Sequence, residues 1–133
     1  MIQSALVAKL KNVTSKVYAN VAPQSVSLPV VTVDMDGSFR ERHYGTSGIE
    51  TGLIETDFEI NVWGKHNSDC FGLAEQLIAE IENFSGPLRG MDSPQTIYGV
   101  AEVRIDGEAG GFDGETKLYQ YTINLMIKHT TEV

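Results

Sequence analysis

The chain has 133 residues and a formal net charge of −8 at neutral pH, a length that suits one domain burying roughly two thirds of its unfolded surface around a single core. With 41% hydrophobic and 21% charged residues and no Pro/Gly/Ser-rich linker, the composition excludes a disordered or divided chain. The lone cysteine, Cys70, excludes an internal disulfide, no run of about 18 apolar residues offers a membrane-spanning helix, and the basic residues are too scattered for tight binding to a phosphate backbone.

Residues 2 to 16 place Ile2, Leu6, Leu10, Val13 and Val17 at spacings of three and four, which predicts an amphipathic first helix. Lys9 and Lys11 interrupt this opening and no cleavage pattern follows, so export by a signal peptide is not expected. Residues 1 to 20 carry Lys9, Lys11 and Lys16 and no acid, whereas the remainder holds all 18 Asp and Glu. Pro23 and Pro29 hold the residues before them extended, and a β-branched strand is predicted from Val30 to about Met35, closed by an Asp36-Gly37 turn. Residues 37 to 52, with four glycines and the Arg40/Arg42 pair, read as a long loop or an irregular hairpin arm.

The clearest strand is residues 53 to 63, "LIETDFEINVW", with Ile54, Phe58, Ile60 and Val62 in one register and Glu55, Asp57, Glu59 and Trp63 in the other. Asn67 or Ser68 is then expected to cap a second helix running to about Phe84, with Cys70, Phe71, Ala74, Leu77, Ile78 and Ile81 on its apolar stripe. A turn region at 85 to 94 leads into a strand from about Thr96 to Ile105. The glycine-rich acidic stretch 106 to 115 reads as a hairpin tip, and a last strand runs from Lys117 to about His129. The expected architecture is α+β: a mostly antiparallel sheet of about four or more strands with two helices on one face, in the order helix, strand, loop, strand, helix, strand, strand.

Few residues carry chemistry. Glu55, Asp57 and Glu59 lie roughly 6 to 7 Å apart along one strand face and could hold a divalent ion or form an acid and base pair, but charged alternation is first of all the pattern of a solvated face. "DMDGSF" opens like a calcium loop, yet Phe39 stands where a glycine is needed and Gly45 where a bidentate Glu is needed. "YGTSGIE" lacks the strand-to-helix context of a nucleophile elbow. His43, His66 and His129 share no ligand spacing and read as surface or interface histidines. Cys70 belongs to the core by its position on the helix stripe. Phe112, an apolar ring among glycines and acids, suits an anchor in a neighbouring chain, and packing on its own sheet is the plainer alternative. Trp63, ending a polar register, suits a contact rim. No catalytic, metal-ligating or cofactor-binding residue is expected.

Taken together, "APQSVSLPVVTV", the strand "DFEINVWGK" running into "AEQLIAEIENF", and the closing "QYTINLMI" resemble the tail-terminator, or tail-completion, proteins of long-tailed bacteriophages. The similarity spans nearly the whole chain. It implies a subunit that forms a ring, by expectation a hexamer, on the head-proximal end of the tail tube, stops tube growth and presents a surface for head-tail joining. The implied partners are copies of itself, the tail-tube protein and the head-tail connector, with no cofactor and no membrane. The implied location is the virion tail, assembled in the host cytoplasm. An acidic wall repels phosphate, so DNA would pass without specific binding. A closed ring needs two unlike patches on each subunit, and the cationic first helix against the acidic remainder is a candidate pair. The expected assembly or lumen surface comprises Lys9, Lys11, Lys16, Arg40, Arg42, Tyr44, Glu55, Asp57, Glu59, Trp63 and Phe112. The competing readings are a head-tail connector or neck protein of the same machine and, more remotely, a small metal-dependent enzyme using the three carboxylates or a hairpin-loop binding module.

Overall fold

Two helices and six strands alternate as α1 (Ile2–Leu10), β1 (Val17–Ala19), β2 (Val30–Arg40), β3 (Ile54–Gly64), α2 (Asn67–Ile81), β4 (Gly86–Arg89), β5 (Ile97–Asp113) and β6 (Leu118–Glu132). The computed structural model describes residues 2–40, 53–90 and 96–132. All six strands join one sheet in the order β1-β2-β3-β6-β5-β4. Every pairing is antiparallel except β1 with β2, which is parallel. The class is α+β as expected, but the sheet is mixed, and the strand order includes β1 and β4, which the sequence pattern does not reveal. At three and four residues they are too short for a period of two to show.

The first helix ends earlier than its apolar spacing predicts. Val13, Thr14 and Ser15 are weak helix formers, and Val17, buried at 1% exposure, goes into β1 instead of extending the helix stripe. Gln3, also buried, explains how the parts lock: its Nε2 donates to Val33 O at 2.7 Å and to Asn20 Oδ1 at 2.9 Å. Asn20 takes a left-handed φ of 64° and hands the chain out of β1.

The second helix begins at Asn67 after His66, which makes no side-chain cap bond, so neither Asn67 nor Ser68 is the cap. It stops at Ile81 rather than Phe84, because Asn83 adopts φ 60° one residue beyond the C-cap, and Glu82 N–H and Phe84 N–H donate to Ile78 O and Ile81 O. Its buried stripe is Cys70, Ala74, Leu77 and Ile81; Phe71, expected on the stripe, is 47% exposed.

Two strands run further than predicted. β2 does not stop at Asp36-Gly37. A β-bulge between Met35 and Gly37 absorbs Asp36, and pairing with β3 resumes through to Arg40 opposite Ile54, so this segment is the base of a hairpin. β5 continues through the glycine-rich stretch to Asp113, because β6 supplies partners along its whole length, from Ile123 opposite Glu108 to Leu118 opposite Asp113. The turn moves to residues 114–117, where Asp113 Oδ1 accepts from Glu115 N and Asp113 O from Lys117 N. Gly110 of β5 faces Tyr121 of β6, whose ring would lie 3.4 Å from a Cβ built there, an ordinary contact.

Both helices cover the same sheet face, and one core unites Leu6 and Leu10 of α1, Leu77 and Ile81 of α2, and Val31, Phe58, Ile60, Ile123, Leu125 and Ile127 of the sheet. α1 packs against both edge strands, β1 and β4. Six flat strands would span ~24 Å, whereas a nine-residue helix is only ~14 Å long. The sheet therefore curls around α1 as a half-barrel, helped by three register shifts in β5.

Candidate assembly surface

The sheet face turned away from the helices carries the carboxylates. Cross-strand pairing sets Glu59 opposite both Asp34 and Asn124, Asp57 opposite Met126, and Glu55 opposite Lys128. Glu55 forms an ion pair with Lys128 at 3.6 Å. Asp36, displaced by the bulge, joins the group. Partial burial first, and then the charges of Glu59, Asp34 and Asp57, raise its carboxyl above the ordinary value. Asp34 and Asp36 thus belong with the three predicted acids, and their own spacing of two was the signal that could have placed them there.

This face is not simply wet. At its centre Asn61 is 5% exposed; its Oδ1 accepts from Gln120 Nε2 and Thr122 Oγ1, both at 2.7 Å, and its Nδ2 donates to Glu59 Oε1 at 3.0 Å. Met126 and Thr32 are buried on the same face. A central strand flanked on both sides brings side chains close enough to cover one another, so a sheet face without a helix can still bury polar groups. Trp63 is half-buried at the end of this register, opposite Val30 and Gln120. Among the described residues no three Asp, Glu, His or Cys side chains converge in a way that could hold one metal ion.

A second patch lies on the long β5–β6 hairpin. Phe112 is 57% exposed and packs on Tyr119 with ring centroids 5.0 Å apart. Phe71 of α2 meets Tyr121 edge-on at 5.7 Å, and the Tyr121 hydroxyl donates to Glu108 at 2.9 Å. Burial, followed by that carboxylate, raises the Tyr121 hydroxyl above its ordinary value. Phe112 therefore packs on its own sheet and still shows most of its ring.

The cationic segment is less available than its composition implies. Lys9 pairs with Glu80 at 3.5 Å and lies 4.0 Å over the Phe84 ring. Lys16 Nζ donates to the carbonyl and the hydroxyl of Ser27. Lys11 is exposed. Arg40 closes β2, far along the chain from this group, and Arg42, Tyr44, His43 and the Ser47 motif lie outside the described residues. The structure thus gathers Glu55, Asp57, Glu59 and Trp63 on one face and leaves Phe112 and the lysines on separate ones.

Two other expectations resolve plainly. Cys70 is fully buried, and burial, followed by the charge of Asp69, pushes its thiol up. His129, by contrast, is not a surface histidine. It is 3% exposed, with Nδ1 2.6 Å from Thr130 O and Nε2 2.8 Å from Thr56 Oγ1. A carbonyl only accepts, so Nδ1 carries the proton and Thr56 donates to Nε2. No local pattern signals this pairing, because Thr56 and His129 are 73 residues apart.

No protein-family model matches the chain, and no curated protein does. Among solved structures, the fold is similar to that of a chain in "Virion of native gene transfer agent (GTA) particle", with a TM-score of 0.67 and 10% sequence identity over 99% of this chain and 95% of that one.

Proposed function

We propose that this chain is a structural virion-assembly protein that forms a ring at the head-proximal end of a phage tail tube, ends tube polymerisation and presents the surface for head-tail joining. The observation that carries the reading is the fold shared with a chain of a gene transfer agent virion over 99% of this chain and 95% of that one. The sequence resemblance to tail terminators points the same way. The protein acts by geometry and surface complementarity, without a catalytic step.

The acidic sheet face fits this role. Asp34, Asp36, Glu55, Asp57 and Glu59 lie on adjoining strands, with Lys128 paired to Glu55 at 3.6 Å. Such a surface repels phosphate and suits the wall of a channel through which duplex DNA slides. Purified tail tubes and purified portal, each incubated with the protein, test the proposal. Binding to tube ends with arrest of elongation is expected. Binding to portal with none to tubes would make it a neck protein instead, and a monomer indifferent to both would refute the assembly role. Stoichiometric divalent metal in the purified protein would revive the carboxylate enzyme.

A further inference from the structure

The β5–β6 hairpin ends in an exposed aromatic ring set among acids. Phe112 shows 57% of its surface although Tyr119 supports one side of it, and Glu115 in the adjoining turn is exposed. Tyr119 supports the Phe112 ring from one side at 5.0 Å, which reduces the freedom it would lose on docking, a property of aromatic anchors at interfaces.

An open groove lies elsewhere on the same helix-covered side. Between α1 and β4 there is a groove of about 240 Å³, walled by Ala8, Phe84 and Pro87 and edged by Lys9 and Arg89. The groove is shallow and open to solvent, so a phenylalanine ring would lie across it with one face covered. Lys9 is neutralised locally by Glu80 and lies over the Phe84 ring, so Arg89, exposed at the groove edge, is the cation the lining offers.

The hairpin cannot fill its own groove. β4 pairs with Ile97–Val100 at the start of β5, and Phe112 lies at the far end of the same strand. At ~3.3 Å per residue the separation is roughly 40 Å. Asp113 and Glu115 outnumber Lys117 around the aromatic tip, and Arg89 is the exposed cation at the groove, so the same tip on another molecule is a complementary occupant.

We propose that Phe112 of one copy seats in the α1/β4 groove of the next, with Glu115 facing Arg89. The contact joins two unlike patches, so it is heterologous and propagates head to tail, the geometry from which rings are closed. It rests on the ring-forming role proposed above and names the contact that builds the ring. It also replaces the general attraction of a cationic helix for an acidic remainder with one anchor and one charged pair.

The test uses the full chain with Phe112→Ala, Arg89→Glu, Glu115→Lys, the Arg89→Glu/Glu115→Lys pair and the Phe112→Cys/Ala8→Cys pair. Self-association is read by analytical ultracentrifugation and cross-linking by non-reducing electrophoresis. Circular dichroism confirms folding, and Phe112→Cys and Ala8→Cys made singly, each beside the buried Cys70, are the cross-linking controls. Phe112→Ala should weaken self-association ~30-fold or more, the scale of a hot-spot aromatic. Each charge reversal should weaken it less, the double reversal should restore it, and the cysteine pair should give a ladder of linked chains. Wild-type rings with neither an effect of Phe112→Ala nor a disulfide ladder would overturn this contact and leave the ring role standing. Loss of tube binding in Phe112→Ala with self-association unchanged would place the anchor on the tube protein and overturn it as well. A wild-type chain that stays monomeric with tubes supplied would overturn both proposals.

Discussion

Replacing Asn61 by alanine should destabilise the protein by ~2–3 kcal/mol although the residue belongs to neither the apolar core nor a helix. The Asn61 side chain makes three hydrogen bonds: two accepted from Gln120 and Thr122 at 2.7 Å and one donated to Glu59 at 3.0 Å. A neutral bond nets about 1 kcal/mol, and one to a charged acceptor about 1.5–3 kcal/mol, so the gross loss is ~3.5–5 kcal/mol by the same scale. Gln120, Thr122 and Glu59 are only half-buried, so water recovers part of their bonding once Asn61 is gone. At ~4 °C per kcal/mol for a domain of this size, Tm should fall by roughly 8–12 °C. Urea unfolding at neutral pH, followed by circular dichroism, measures the change directly. Asn61→Asp is the informative companion. It keeps the accepting oxygen but loses the donor and sets a new charge beside Glu59, so added salt should recover part of its loss, as it should not for the alanine variant. A change of less than ~0.5 kcal/mol in Asn61→Ala, the range of an ordinary surface substitution, would refute the claim that this face holds a buried polar network.

Substituting Glu55→Gln, Asp57→Asn and Glu59→Gln together should leave stability within ~1 kcal/mol, since the Glu55–Lys128 pair is partly exposed and the amide oxygen introduced at position 59 would still accept from Asn61; the same variant should need more salt to elute from immobilised duplex DNA, and unchanged elution would argue against an electrostatic role. Burial lowers the His129 pKa against the smaller opposing effect of the Thr130 carbonyl, so below its ordinary value of 6.5 the unfolded chain binds a proton that the folded one refuses. Stability should be full above that pH and decline as pH falls through it toward the lower folded value, and Thr56→Val, by leaving Nε2 without its donor, should cost ~1–3 kcal/mol in urea titrations at about pH 7.5. Gly64→Ala places a Cβ 2.8 Å from Cys70 Sγ and should cost ~1–3 kcal/mol; Cys70→Ala in the same chain should relieve much of that strain, and additive effects in the four-variant cycle would refute the contact.

Some features were readable without coordinates because they depend on neighbours along the chain. The alternation of residues 53 to 63 determined β3 almost to the residue, since side-chain direction in a strand reverses at each step. The apolar stripe of α2 was legible for the same kind of reason, and so was the burial of Cys70 upon it. Chain termini of elements were not. Asn83 ended α2 by adopting a left-handed conformation that asparagine permits but does not require, and the glycines of β5 stayed in a strand only because β6 lay alongside to pair with them. The short strands β1 and β4 exist because the sheet edges they complete are already formed. The Asn61 network, the Thr56–His129 pair and the groove between α1 and β4 all join residues far apart in sequence. Local periodicity records which side of an element a residue occupies. Which distant element lies against that side is decided by how the sheet curls around α1, and hydrogen-bond networks and cavities arise only there.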